Sequence, residues 1–190
     1  MSEKQKENLF FFPLFQAKAP LTPAWSTKKK RKAKLQMEIN LPSFDISLRQ
    51  HQGRREVFDF LRQRFVTLTP EEWVRQHFVH FLVEHKGYPK GLLANEMELR
   101  VGEKRLRCDT VLYNTALQPQ MIIEYKAPSV TITQRVFDQI VVYNMLLHVD
   151  YLVVSNGLHH YCCRMDYARH SYEFLPDIPD YSAAFGLNDK

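Results

Sequence analysis

The sequence predicts an α/β domain with elements in the order αβββαββ. Three observations carry this: a capped helix start at Thr69-Pro70-Glu71-Glu72, a change of hydrophobic period from helical to two near residue 94, and a second amphipathic segment leading to an Asn156-Gly157 turn. A length of 190 residues suits one core with a modest appendage. The 45% hydrophobic and 25% charged residues are close to the globular average, which excludes wholesale disorder, collagen-like sequence and a multipass membrane protein. Cys108, Cys162 and Cys163 are too few for a disulfide framework and fit no metal-ligand spacing, so a reducing cytoplasm is expected.

Residues 1–36 read as a disordered basic arm, with Pro13, Pro20 and Pro23 followed by a block from Lys28 to Lys34. The apolar run from Leu9 to Phe15 is far short of the ~20 residues a bilayer helix needs, and Pro13 with the lysine block argues against export. The composition changes abruptly at Met37, which is read as an alternative start. Residues 37–68 form a lead-in with a short helix over 56–65, where Val57, Phe58, Phe60, Leu61 and Phe65 crowd one side.

The core is expected over 69–176, with 177–190 as a tail. Thr69 as N-cap, Pro70 at the first helical position and Glu72 three after the cap start a helix over 70–86. Val74, Phe78, Phe81 and Leu82 line one face of it, and Gly87 stops it. Residues 94–101 and 106–113 alternate as strands about a turn at Gly102-Glu103-Lys104. Residues 120–125 form a third strand, apolar enough at Met121-Ile122-Ile123 to be buried on both faces. A second helix spans 131–148, with Thr131 as cap and Val136, Ile140, Tyr143, Asn144 and Leu147 on one stripe. Residues 151–155 and 158–163 then form a hairpin through Asn156-Gly157, the signal for a type I′ turn.

The net charge of +5 is confined to the arm: residues 1–36 carry +7 and residues 37–190 carry −2. A body of that sign can bind nucleic acid only through a local basic patch or a metal site.

The chemistry is concentrated on the second and third strands. Asp109 lies on the second, and Glu124 and Lys126 share one side at the end of the third. Burying two carboxylates and an ammonium there is costly, and a hard divalent cation bound by both acids would compensate it. Lys126 would sit beside an attacking water or the developing negative charge.

Asp109 followed by Glu124-Tyr125-Lys126 resembles the Asp…Glu-x-Lys signature of the PD-(D/E)XK nuclease superfamily. Gln139 and Tyr143 resemble the Gln-x-x-x-Tyr motif that accompanies it in the N-terminal domain of type I restriction enzyme R subunits. The segments 68–76, Gly87-Tyr88-Pro89, 124–128 and Ser155-Asn156-Gly157 are similar to small proteins of the type I restriction R protein N-terminal kind. The resemblance spans 37 to about 176. It implies a restriction-endonuclease-like core, a mixed β-sheet flanked by helices, and a DNA endonuclease dependent on Mg²⁺ or substituting Mn²⁺. By the same resemblance Asp109, Glu124 and the Tyr125 carbonyl bind the metal, Lys126 serves the water, and Glu72 is the acid on the first helix. Glu71 competes for that last role, being nearer the apolar stripe. Gln139 and Tyr143 are expected to contact the substrate backbone or brace the site, and Arg107 to contact a phosphate.

Several features have blander explanations. A lone Glu-x-Lys is most often an exposed strand end, and it is Asp109 with the Gln139–Tyr143 pair that lifts it above that. Tyr143 alone reads as core. His77 and His80 are three apart, and His159 and His160 point to opposite sides of a strand, so the histidines are read as solvated rather than zinc-binding. No Gly-x-x-x-x-Gly-Lys loop occurs in the sequence, so a motor, if used, belongs to a separate chain or to restriction-modification subunits. A homodimer would supply two sites for double-strand cutting. The principal rival is a nucleic-acid-binding or scaffold protein that keeps the fold without turnover.

Overall fold

The computed structural model describes residues 38–101 and 104–186, with the side chains of 99–101, 104, 106, 138, 139, 142, 143, 145 and 146 left out. The arm over 1–36 and the 102–103 turn lie outside these residues. The predicted order αβββαββ is found as α1 (Pro70–His85), β4 (Leu93–Val101), β5 (Lys104–Tyr113), β6 (Pro119–Tyr125), α2 (Gln134–Leu147), β7 (Tyr151–Ser155) and β8 (His160–Asp166), with one 3-10 turn (Lys90–Leu92) between α1 and β4. Three strands precede it: β1 (Leu48–His51), β2 (Arg54–Asp59) and β3 (Arg64–Thr67). After it come β9 (Ser171–Leu175) and a short helix α3 (Tyr181–Phe185).

Strands β4 to β9 form one six-stranded sheet in sequence order. It is mixed: β6 and β7 run parallel across the α2 crossover, and every other neighbouring pair is antiparallel. The fold is therefore the mixed α/β sheet with flanking helices that was expected. Helix α1 packs Val74, Phe78 and Leu82 against Leu112, Met121, Ile123 and Tyr125 on one face. Helix α2 packs Phe137 and Ile140 against Val111, Ile122, Leu152 and Val154 on the other. The central strands β6 and β7 are buried over their apolar runs because both faces are covered, as their near-continuous hydrophobic sequence requires.

The helix expected over 56–65 is absent, and the segment is the β2–β3 hairpin. Strand alternation explains this: Val57 and Asp59 are buried while Phe58 between them is not. Asp59 then makes the turn, its Oδ1 accepting the Leu61 and Arg62 backbone N–H groups at 2.9 and 2.7 Å. Val57, Leu61 and Phe65 imitate helical spacing because a tight reversal lies between them.

Helix α1 starts as its sequence dictates, with the Glu72 N–H donating to Thr69 Oγ1 at 3.0 Å. Thr131 is not the cap of α2, whose N-cap position is Thr133. The β7–β8 connection also differs from a two-residue type I′ turn. It spans residues 156–159, Gly157 has φ +82° while Asn156 is not in the left-handed region, and Asn156 Oδ1 accepts the N–H groups of Leu158 and His159. The longer loop is held by this side chain, which makes the second positive φ unnecessary.

Gly157 meets a tight constraint. A Cβ there would lie 2.8 Å from Ile39 Cγ2 and 3.0 Å from Val74 Cγ2, at a φ that disfavours any side chain. Gly157→Ala is expected to cost about 1–3 kcal/mol, read as a lower urea midpoint with an unchanged slope.

Candidate nuclease-type site

The acids meet where the sheet changes face. The β5–β6 ladder ends at the Thr110–Ile123 pair, and one step further Asp109 and Glu124 would stand opposite each other. In the β4–β5 ladder, Asn95–Thr110 and Met97–Cys108 are paired but Glu96, between them, is not; it sits at φ +54°. That conformation is uncommon for a non-glycine residue and here interrupts strand alternation. Cys108 and Val111 accordingly both pack on the α2 side, although regular alternation over three residues would put them on opposite faces. Asp109 lies at this turnover. It reaches the backbone N–H of Tyr125 through Oδ2 at 2.9 Å and Arg75 of α1 through Oδ1 at 2.7 Å.

Glu124 is buried at the end of β6, and Lys126 donates to its Oε1 at 2.8 Å. Burial first, and the Asp109 carboxylate second, push the Glu124 pKa above the usual carboxylate range in spite of Lys126. The strand end itself is fixed by the Lys126 N–H donating to the Ser155 carbonyl at 2.9 Å.

Glu72 faces the same region from α1. It is buried and accepts from Arg75 at 2.7 Å, Arg62 at 3.1 Å and Gln76 at 2.7 Å. Glu71 is less buried than Glu72 and belongs to none of these contacts. Arg107 is exposed and donates to Glu96 at the rim. Gln139 and Tyr143 fall one turn apart on α2, but their side chains lie outside the described residues.

The centre of the arrangement is Arg75, which sequence reasoning passed over. Its guanidinium is buried and bridges Glu72, Glu96 (3.0 Å) and Asp109. A second buried layer stands behind it: Arg62 binds Asp59 at 2.6 Å and Glu96 at 2.9 Å, Asn95 donates to Asp59, and Thr110 donates to Asn95 at 2.7 Å. Gln76 accepts the Phe60 N–H at 3.0 Å, so this polar side of α1 docks on the β2–β3 turn. Ten of the sixteen α1 residues are buried because the helix is covered on two sides. The available signal was Arg75 and Gln76 one turn below Glu72 on a helix whose apolar stripe was already assigned.

The histidines were expected to be solvated, and His77, His80 and His160 are not, His80 being partly buried against Phe44 and Phe60. His77 is buried and donates from Nδ1 to the Trp73 carbonyl at 2.8 Å. His160 is partly buried: its Nε2 donates to the Asn40 carbonyl at 3.3 Å, which leaves Nδ1 to accept from the Ser155 hydroxyl at 2.8 Å. Burial pushes both pKa values down to about 4. Among the described residues no three His, Cys, Asp or Glu side chains form a ready-made metal cluster. The donor set present at the strand ends is two carboxylates and the Tyr125 main-chain carbonyl, all hard oxygens. Burial first and the Asp109 carboxylate second disfavour charge on Glu124, a cost that a divalent cation held by both acids would relieve.

This mixed α/β fold gathers two carboxylates and a lysine at the end of a central strand. A family model for the type I restriction enzyme R protein N terminus matches residues 70–179, and the chain belongs to that family. Two solved structures are similar at low identity. One is a fragment of a protein described as an HsdR subunit of a type I restriction enzyme from Vibrio vulnificus YJ016, at 17% identity and TM-score 0.46, covering 63% of this chain and 25% of that one. The other is a DrdV–DNA complex, at 16% identity and TM-score 0.40, covering 62% of this chain and 11% of that one. The chain thus spans a quarter or less of the length of either. No curated protein matches the chain. Among the described residues no helix is long and apolar enough to cross a membrane.

Proposed function

We propose that the chain is a Mg²⁺-dependent DNA endonuclease, with Mn²⁺ able to substitute, acting on cytoplasmic DNA. What supports this reading is Asp109 on β5 reaching the Tyr125 N–H beside Glu124 and Lys126, which are bonded to each other at the end of β6. Asp109, Glu124 and the Tyr125 carbonyl would hold the cation, which supplies Lewis-acid stabilisation of phosphate charge when bound. Lys126, tethered to Glu124, orients the attacking water and stabilises the pentavalent charge. Glu72 fixes Arg75 and, through it, Asp109. Gln139 and Tyr143 on α2 and Arg107 at the rim contact the substrate backbone. Restriction-modification subunits or a separate motor chain are its proposed partners, and a homodimer would cut both strands.

A second reading, a DNA-binding or scaffold relative without turnover, is favoured by one observation: Arg75 already neutralises Asp109, so its burial needs no metal. Supercoiled plasmid and short duplexes incubated with the protein in Mg²⁺ or Mn²⁺ separate the two. Cleavage is expected, and Asp109→Ala and Lys126→Ala should each slow it at least ~100-fold. Equal cleavage by all three proteins would identify a contaminant, and metal-independent binding without cleavage would establish the second reading.

A further inference from the structure

Each acid of the candidate site already has a cation of its own, and the two cations differ in freedom. The Lys126 side chain is 23% exposed, and Glu124 is its one ion-pair partner among the described residues. An ammonium on a flexible stem can leave that carboxylate and re-enter water. Arg75 is only 5% exposed and is pinned from three elements at once, by Glu72 of α1, Glu96 of β4 and Asp109 of β5. A buried guanidinium shared by three acids cannot move off one of them without stranding charge. Glu72 and Glu96 also have Arg62, so Asp109 is the acid whose single cationic partner among the described residues is Arg75.

The hold on Asp109 is incomplete. Nε and Nη2 form one edge of the planar fork, the edge that pairs side-on with both oxygens of a carboxylate. Here only Nη2 is used. It donates to Oδ1 at 2.7 Å, Oδ2 accepts the Tyr125 N–H at 2.9 Å instead, and the Arg75 Nε is buried without a hydrogen-bond partner. An unpaired buried donor is costly, so its presence calls for a reason. The carboxylate is turned away from its best guanidinium pairing and toward the strand end that carries Glu124. A carboxylate offers about four acceptor sites, and these two bonds leave the others open, so a second cation fits beside Arg75 but does not replace it.

We propose that Arg75 is a resident counter-cation with which a divalent ion must share Asp109, so that Arg75 holds down the metal affinity of the site. Lys126, by contrast, yields Glu124 to the ion and is set free for the water. The inference rests on the nuclease reading for the presence of the ion. Arg75 acts through Asp109 and is a positioning residue rather than a catalytic one. The guanidinium that secures the interior acids therefore also limits how tightly the site can take a metal.

The test is Mn²⁺ binding to the full chain without DNA, read from the EPR signal of free Mn²⁺, for the wild type, Arg75→Met, Lys126→Ala and Asp109→Asn. Arg75→Met and Lys126→Ala remove the same charge. Arg75→Met should bind Mn²⁺ at least ~10-fold more tightly than the wild type, because it lifts the repulsion of an immobile charge in a low dielectric. Lys126→Ala should gain clearly less. Mn²⁺ should also raise the urea midpoint of Arg75→Met more than that of the wild type, a rescue that a purely structural role would not give. If Arg75→Met stays unfolded with and without Mn²⁺, nitrogen NMR of the wild-type arginine side chains decides instead. The Arg75 guanidinium resonances should then move with Mg²⁺ along the binding isotherm, and stay still in Asp109→Asn. Unchanged or weaker binding by Arg75→Met, equal gains in the two charge-removing variants, or Arg75 resonances indifferent to Mg²⁺ would overturn the proposal. Any of these with Asp109-dependent Mn²⁺ binding intact leaves the nuclease reading standing. Mn²⁺ binding that Asp109→Asn does not weaken removes that reading, and this inference with it.

Discussion

Replacing Arg75 with methionine is expected to lower stability by about 3–5 kcal/mol, because it leaves buried carboxylates without their cation. Glu72, Glu96 and Asp109 all converge on this one guanidinium, and Glu72 is as deeply buried as Arg75 itself. Arg62 still reaches Glu72 and Glu96, so Asp109 suffers most, retaining only the Tyr125 N–H. Lysine would recover little, since a single ammonium cannot span three carboxylates in the way a planar fork does. Urea unfolding of Arg75→Met, Glu72→Gln and the double variant gives the coupling. The double variant should cost clearly less than the two single changes added together. A loss below about 1 kcal/mol for Arg75→Met would mean that water, rather than protein, solvates these acids.

Acidification should destabilise the fold well before the surface carboxylates protonate. The unfolded chain binds a proton at His77 below pH 6.5, whereas the buried ring holds none until about pH 4. The unfolded state therefore binds more protons in this window, and stability falls as pH drops through it. For His77 the loss approaches ~3 kcal/mol at pH 4. His160 acts in the same direction, because protonating Nδ1 would break its bond from Ser155. Asp59 adds a later loss: its pKa is lowered by the Arg62 backbone, the Arg62 side chain and Asn95, which together outweigh burial, so its contribution is present above pH 3.8 and disappears below. Glu124 has the opposite sign. Its raised pKa makes the folded state the better proton binder above 4.5, so deprotonating it costs stability as pH rises. Urea midpoints from pH 7 to 4 for the wild type and His77→Phe check this. The variant should lose up to one proton's worth of slope, about 1.4 kcal/mol per pH unit.

How much of this was legible depended on whether a signal was local. Thr69-Pro70 and the Val74–Phe78–Leu82 stripe fixed α1 because caps and helical period act within a turn or two. The acids on β5 and β6 were recognisable because alternation and strand order brought Asp109 near Glu124. The β2–β3 hairpin was misread because Asp59, its turn-forming residue, works through hydrogen bonds that hydrophobic spacing does not register. Arg75, Arg62 and Glu96 were missed for a related reason. Exposed charges and buried ion pairs look alike in sequence, and only the covering of α1 on both sides turns Arg75 into an interior residue. His77 and His160 were assigned to solvent because their spacing fits no zinc site, and the aromatic packing of Trp73 and Phe78 around them overrides that.

The left-handed backbone at Glu96 has a wider implication. It is an elbow between the distal part of the β4–β5 ribbon and the half bearing Thr110 and Val111, placed opposite Asp109. A change of length at the distal tip is therefore expected to be absorbed at this joint before it reaches the carboxylates.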